Sequence, residues 1–192
     1  MLRDLFISKV RVEILKLFLV SPEKIHHIRG IVRAIDEEIN AVRRELKRME
    51  KIGLMSSEWR ANRKYYRIRR DYLFYQELLS MISKITGLGG AVIQHKNKIG
   101  RVKYAMVSRR FLKGEKADPN EVDMLIVGNI ILPELASIVR EQEAKQTVEI
   151  NYTVMSEDEF TFRKRRRDPF ILSVLESSRV MLIGDEDEMV RG

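Results

Sequence analysis

The sequence predicts an α+β chain in two parts, a basic helical unit closed by a β-hairpin and then a small α/β unit. Three observations predict it. The first 70 residues hold 18 Lys/Arg and 9 Asp/Glu, a net +9, while the remaining 122 hold 18 and 19, a net −1. Apolar residues recur at helical spacing through the first 50 residues and then give way to two short strand-like runs. From Arg101 onward, strand-like and helical patterns alternate, which is the mark of an α/β layer. The expected organisation is 1–70 for the basic unit, 71–99 for linking or dimerising helices, and 100–192 for the α/β unit.

Composition narrows the function. With 44% apolar residues the chain can bury a core. No apolar run reaches the roughly 18–20 residues of a membrane span. Met1 to Val20 is interrupted by Arg3, Asp4, Lys9, Arg11, Glu13 and Lys16, so it lacks the apolar core of a signal peptide. The absence of cysteine removes disulfides and thiolate metal sites, and three histidines make a poor zinc site. A cytoplasmic location and no membrane partner are expected. A basic, patterned unit is the electrostatic footprint of nucleic-acid binding, because each phosphate neutralised by Lys or Arg releases a condensed counterion.

In the first unit, Leu5 to Val20 reads as an amphipathic helix through Phe6, Val10, Ile14, Leu17 and Val12, Leu15, Leu19. Ser21-Pro22 ends it. Ile25 to Ile35 reads as a second helix, with His26 and His27 at its start, exposed or beside a phosphate. Asp36-Glu37-Glu38 form the turn into a third helix, where acidic residues suit the positive end of the backbone dipole. There Ile39, Val42, Leu46 and Met49 form a buried stripe. Asn40, Arg44, Lys47 and Arg48 lie opposite it, with Arg43 at the border. Arginine can pair bidentately with guanine, and an amide with adenine. Gly53 closes the helix with a left-handed cap. Leu54–Glu58 and Tyr65–Arg69 read as strands joined by a basic turn, 59–64, that carries Arg60, Asn62, Arg63 and Lys64.

The run "HIRGIVRAIDEEINAVRRELKRMEKIGLMSSEWRANRKYYRI" resembles the winged-helix family of the arsenic-repressor type over about residues 5–70. Val42, Leu46, Met49, Gly53 and Leu54 carry the signature, followed by the aromatic second strand of the wing. The resemblance implies that the third helix reads the major groove of double-stranded DNA and the wing touches the backbone or minor groove. It also implies a homodimer on a palindromic site.

Beyond the hairpin, Asp71 to Thr86 reads as a helix with a wide apolar face, suited to a dimer contact. Gly87, Gly89 and Gly90 mark a break, and Ala91 to Ile99 reads as helical. Gly87-Leu88-Gly89-Gly90 is no phosphate loop, since no strand precedes it and no Lys-Ser/Thr follows. Strands are expected at Val102–Ser108, Val122–Val127, Val148–Met155 and Arg179–Ile183. Helices are expected at Leu132–Lys145, Ser156–Arg167 with a capping box to Glu159, and Pro169–Ser177. The basic run Arg163–Arg167 suits a helix C-terminus or an extended nucleic-acid surface. The acidic tail Asp185–Glu188 is expected to fray.

The segment "VSRRFLKGEKADPNEVDMLIVG" resembles the nucleotidyltransferase superfamily of polymerase-β type, over about residues 100–160. The resemblance implies a Gly-Ser pair at the end of one strand and two carboxylates, i and i+2, at the next. Glu121 and Asp123 occupy the acidic positions and are the candidate metal ligands. The chain departs from the pattern in three ways. Val107-Ser108 replaces Gly-Ser, the intervening segment 109–120 is longer and basic, and Asn151 stands where a third carboxylate is expected, with Glu149 two residues before it. Two-metal catalysis needs that cradle and that ligand.

The expectation is therefore a sequence-specific DNA-binding transcriptional regulator. Its nucleotidyltransferase-like unit is expected to be inactive, to need no cofactor, and to serve sensing or oligomerisation. Two rivals stand beside it: a working nucleotidyltransferase using Mg²⁺ and a nucleoside triphosphate, and an RNA-binding or antitoxin-like interaction protein.

Overall fold

The computed structural model describes residues 7–115, 121–146 and 148–191. Leu5 and Phe6 of the first expected helix, and residues 116–120 of the basic insertion, lie outside them. The chain is a mixed α+β fold with two sheets and ten helices among the described residues. It divides into two compact units, Met1–Ile82 and Ser83–Gly192. The expected linking segment is thus split between them. No described helix is long and apolar enough to cross a membrane.

The first unit begins with α1 (Lys9–Val20), whose N-cap Ser8 accepts from the Arg11 N–H. It buries Val12, Ile14, Leu15, Phe18 and Leu19. The second helix does not start at Ile25. Instead His26 and His27 form a two-residue strand β1, and α2 runs Ile28–Ile35. The reason is local. His27 is extended, and its Nδ1 accepts from the Gly30 N–H at 3.1 Å, capping α2. Its strand partner is Tyr65, and that of His26 is Tyr66. Asp36 then turns the chain in a left-handed conformation. α3 spans Ile39–Lys51, capped by Glu38, whose carboxylate accepts from the N–H groups of Asn40 and Ala41.

The end of α3 is a Schellman motif. Gly53, at φ +78°, donates to the Glu50 carbonyl, and Leu54 donates to that of Met49. β2 (Met55–Arg60) and β3 (Arg63–Ile68) follow as an antiparallel hairpin, register Met55↔Ile68 to Arg60↔Arg63. The turn is therefore two residues, Ala61 and Asn62, rather than the six expected. Trp59 and Lys64 are cross-strand partners, so the ladder runs almost to the tip. The sheet order is β1-β3-β2. α4 (Tyr75–Ser83) buries Tyr75, Leu79 and Ile82.

The expected helix 71–86 is shorter than its apolar pattern, because Thr86 is extended and α5 (Gly87–Gln94) starts afresh. Within the second unit, residues 83–90 turn tightly. A Cβ on Gly89 would lie 2.3 Å from the Ser83 carbonyl oxygen, and one on Gly90 would lie 2.5 Å from the Ile85 carbonyl carbon. The paired glycines are there for backbone approach.

The second unit is built on a four-stranded sheet of β4 (Gly100–Ser108), β5 (Met124–Ile130), β6 (Tyr152–Met155) and β7 (Arg179–Ile183), in the order β6-β5-β4-β7. β4 is antiparallel to β5 and β7, and β5 is parallel to β6. Both faces are covered. Ala105, Val107, Met124 and Ile126 pack with α5 and with α7 (Leu132–Gln146). Tyr104, Met106, Leu125 and Val127 pack with Phe160, Ile171 and Met189. These last three come from α8 (Glu157–Arg165), α9 (Pro169–Glu176) and α10 (Glu186–Arg191). Burial on both faces is why 104–107 of β4 and 124–127 of β5 read as unbroken apolar runs. β6 is half its expected length, since Val148–Ile150 makes no ladder. The short helix α6 (Arg109–Leu112) follows β4 directly, capped by Ser108.

Three sequence-level expectations meet direct tests here. Ser156 accepts from the Glu159 N–H, one half of the expected capping box, while the Glu159 carboxylate pairs with Arg163 instead of closing the other half. The acidic tail does not fray: it forms α10, which buries Met189 and is capped by Asp185. The basic run 163–167 is largely engaged. Arg163 pairs with Glu159, Lys164 donates to the Met189 carbonyl, and Arg166 lies over the Phe162 ring.

Candidate nucleic-acid interface

α3 presents two chemically distinct faces. Val42, Leu46 and Met49 are buried. Asn40, Arg43, Arg44, Lys47 and Arg48 are all exposed on the other side. Ile39 is half-buried, so the apolar stripe is shorter than expected. Its missing member is Glu45, 5% exposed, which accepts from Arg11 Nε at 2.9 Å and from Arg48 Nη1 at 2.9 Å. Glu45 thus ties α3 to α1 and holds Arg48 by one nitrogen. Arg43, Arg44 and Lys47 have no ion-pair partner among the described residues. Glu38 already occupies the first backbone donors of α3. Those hydrogen bonds, with Asn40 first, hold its carboxyl below the usual carboxylate range. A phosphate near this helix would therefore meet side chains rather than the helix end.

The hairpin is fastened to α3 at its base. The Ser57 hydroxyl donates to Glu50, and Lys64 Nζ pairs with the same carboxylate at 3.0 Å while lying over the Tyr66 ring at 5.1 Å. The Ser57 bond, aided by Lys64 and opposed by burial, holds the Glu50 carboxyl below its ordinary range. Arg60 pairs with Glu58 and lies 5.5 Å from the Tyr65 ring centroid. Asn62 and Arg63 are exposed at the tip, and Arg63 has no ion-pair partner among the described residues. Between the hairpin and the starts of α2 and α3 lies an open cleft of about 400 Å³. Arg29, Arg43, Trp59, Asn62, Arg63 and Lys64 line it. Arg29 and Trp59 are the contributors the sequence reading left unassigned. A cation at the second position of a capped helix was the available signal for Arg29.

A second surface in this unit is apolar. Ile52, Leu73 and Phe74 are 59%, 80% and 54% exposed. A groove of about 450 Å³ is lined by Leu15, Ile52, Tyr72, Phe74, Leu78 and Met81, among others.

In the second unit, the residues singled out as metal ligands do converge with their expected neighbours. Ser108 N–H donates to the Asp123 carbonyl, and Asp123 N–H donates to the Asn151 carbonyl, both at 2.8 Å. Three strand ends therefore meet at one edge. A cation is already supplied there by the protein. Arg110 Nη2 lies 2.7 Å from Asp123 Oδ1, and its Nε lies 2.5 Å from Glu121 Oε2. Asp123 Oδ2 accepts from the Asn151 N–H at 3.0 Å, and Asn151 Nδ2 donates to the Glu121 carbonyl at 2.7 Å. Asp123 is 2% exposed. Burial pushes its carboxyl up, against the Asn151 bond and Arg110. The two carboxylates expected to face a divalent ion face a guanidinium instead, and as held they do not fit a metal. Glu149 is exposed and makes no hydrogen bond or ion pair with this cluster. No group of three or more metal-binding side chains occurs among the described residues. The Val107 side chain is buried in the sheet core.

The chain matches no family model, no curated protein and no solved structure.

Proposed function

We propose that this protein is a sequence-specific transcriptional regulator that binds double-stranded DNA in the cytoplasm through its first unit, read as a winged helix-turn-helix. The observation that carries the reading is the exposed face of α3. Asn40, Arg43, Arg44 and Lys47 stand side by side, opposite a buried stripe and beside a hairpin tip bearing Asn62 and Arg63. A helix with that face suits the major groove, and the hairpin suits the flanking backbone. The order α1-β1-α2-α3-β2-β3 supports the same reading.

The protein acts as a homodimer in this reading. A second copy would cover the apolar groove flanked by Ile52 and Phe74. Light scattering is expected to give twice the 22.6 kDa chain mass. The second unit is read as a nucleotidyltransferase-like domain without transfer activity, used for sensing or oligomerisation. The alignment of Ser108, Asp123 and Asn151 at three strand ends supports the likeness, and Arg110 between the carboxylates opposes a working two-metal site.

Selection of bound sequences from random duplex DNA, at fixed salt, tests the main claim. A recurrent motif whose recovery is lost in a variant with Arg44, Lys47 and Arg63 all replaced by Ala is expected. Equal recovery by that variant refutes it. Preferential recovery of RNA in a parallel arm would favour the RNA-binding reading. Label transfer from a nucleoside triphosphate, lost in Asp123→Ala, would favour the enzyme.

A further inference from the structure

We infer that the cleft between the hairpin and the starts of α2 and α3 takes a single nucleobase, its face stacked on Trp59. The inference rests on the DNA-binding reading and specifies its mode. Trp59 is the chain's one tryptophan and is 70% exposed. On β2 it shares a face with Met55 and Ser57, since side chains alternate along a strand. Met55 is buried and Ser57 bonds to Glu50 of α3, so this is the hairpin face turned toward that helix. The cross-strand partner of Trp59 is Lys64. Lys64 is drawn away to Glu50 and the Tyr66 ring, and the indole is left uncovered.

What surrounds the indole decides its ligand. Arg29, Arg43 and Arg63 line the same cleft, together with Ile28 and Ile39, and no carboxylate among the described residues lines it. A flat aromatic face, an apolar floor and three arginines without ion-pair partners among the described residues match a base carrying its phosphate. Aromatic stacking accepts any base, since every base has a π-face, and arginine adds charge neutralisation. A protein partner would need a continuous apolar surface, which three guanidinium groups interrupt. In a regular duplex the base faces are hidden by stacking. The base must come from an unpaired nucleotide or from a base step opened on binding.

Trp59 reports on itself, because intrinsic tryptophan fluorescence has no other source in this chain. The full-length protein is titrated with a perfect duplex and with the same duplex carrying one unpaired nucleotide, at one salt concentration. Quenching of Trp59 is expected, with the bulged duplex bound about 5- to 150-fold more tightly, the worth of one stacked base. Trp59→Leu and Trp59→Phe carry no tryptophan and are read by anisotropy of the labelled duplexes: Trp59→Leu should remove that preference, and Trp59→Phe should keep part of it. Equal quenching and equal affinity on both duplexes, with both weakened in Trp59→Leu, assigns the base to an opened duplex step. Saturable binding with unchanged fluorescence, or an unaltered preference in Trp59→Leu, overturns the inference while leaving the DNA reading intact. Failure of both duplexes to bind refutes the DNA reading itself.

Discussion

The salt dependence of DNA binding should follow unpaired charge rather than total charge. Seven cations were expected at the interface: Arg43, Arg44, Lys47, Arg48, Arg60, Arg63 and Lys64. Three of them are held by carboxylates, Arg48 by Glu45, Arg60 by Glu58 and Lys64 by Glu50. The other four, together with Arg29 of the cleft, are left to meet phosphates. At about 0.9 per neutralised phosphate, the slope of log affinity against log salt should be about −4.5 per protomer. That is a loss of about 500-fold between roughly 50 and 200 mM salt. Arg63→Ala should flatten the slope by about 0.9, whereas Lys64→Ala should leave it nearly unchanged. Glu50→Gln should release Lys64 and steepen it by up to about 0.9. Anisotropy of a labelled duplex across a salt series measures all three. A Lys64→Ala slope as flat as that of Arg63→Ala, or an unmoved slope in Glu50→Gln, would refute the reasoning.

Three further outcomes follow from the geometry. Ala61 sits at φ +49° in the hairpin turn, a conformation costing an L-residue about 1–2 kcal/mol. Ala61→Gly should stabilise the first unit by about 0.5–1 kcal/mol after the roughly 0.5–1 kcal/mol entropic cost of glycine, read by denaturation followed at Trp59. The Glu50 carboxyl is held below its ordinary range, so its contribution is complete above the unfolded-state value and is lost as pH falls through the folded one. Acid should therefore loosen the hairpin from α3, and Glu50→Gln should show a smaller loss over the same acid range. Arg110→Ala should cost about 3–5 kcal/mol, because it leaves the buried Asp123 without its cation. The double variant Arg110→Ala, Asp123→Asn should be more stable than Arg110→Ala alone, and the reverse order in urea unfolding would overturn this account of the cluster.

Much of the architecture was legible because burial imposes a period. Val42, Leu46 and Met49 announced α3, and the apolar runs of β4 and β5 announced a sheet covered on both sides. The boundaries were lost where a side chain or a long-range ladder competes with local pattern. His27 reads as a helical residue, yet its ring caps α2 and its backbone pairs with a strand that lies about 40 residues later. The apolar pattern of 71–86 runs on past Ser83, but Thr86 is extended and a new helix starts at Gly87. Gly89 and Gly90 of that helix lie against the carbonyl groups of Ser83 and Ile85, a contact invisible to any local count. Asp185–Glu188 looked like a loose acidic end, and one buried methionine, Met189, turns it into a helix.

The basic surface was legible in its location and not in its detail. Counting Lys and Arg locates a basic surface, since net charge sets long-range attraction. It does not say which cations are available. Glu45 and Glu50 sit on α3 among the arginines and would be counted as minor offsets to the total. In the fold each selects a particular cation and holds it, and each also ties α3 to a neighbouring element. The same logic operates in the second unit. Glu121 and Asp123 have the spacing of a cation site, and the site is met by Arg110 from the preceding helix, thirteen residues before Asp123. In both units the acidic residues act by choosing a partner within the chain. The charges they leave unpaired on α3 and at the hairpin tip, Arg43, Arg44, Lys47 and Arg63, are the ones left for a polyanion.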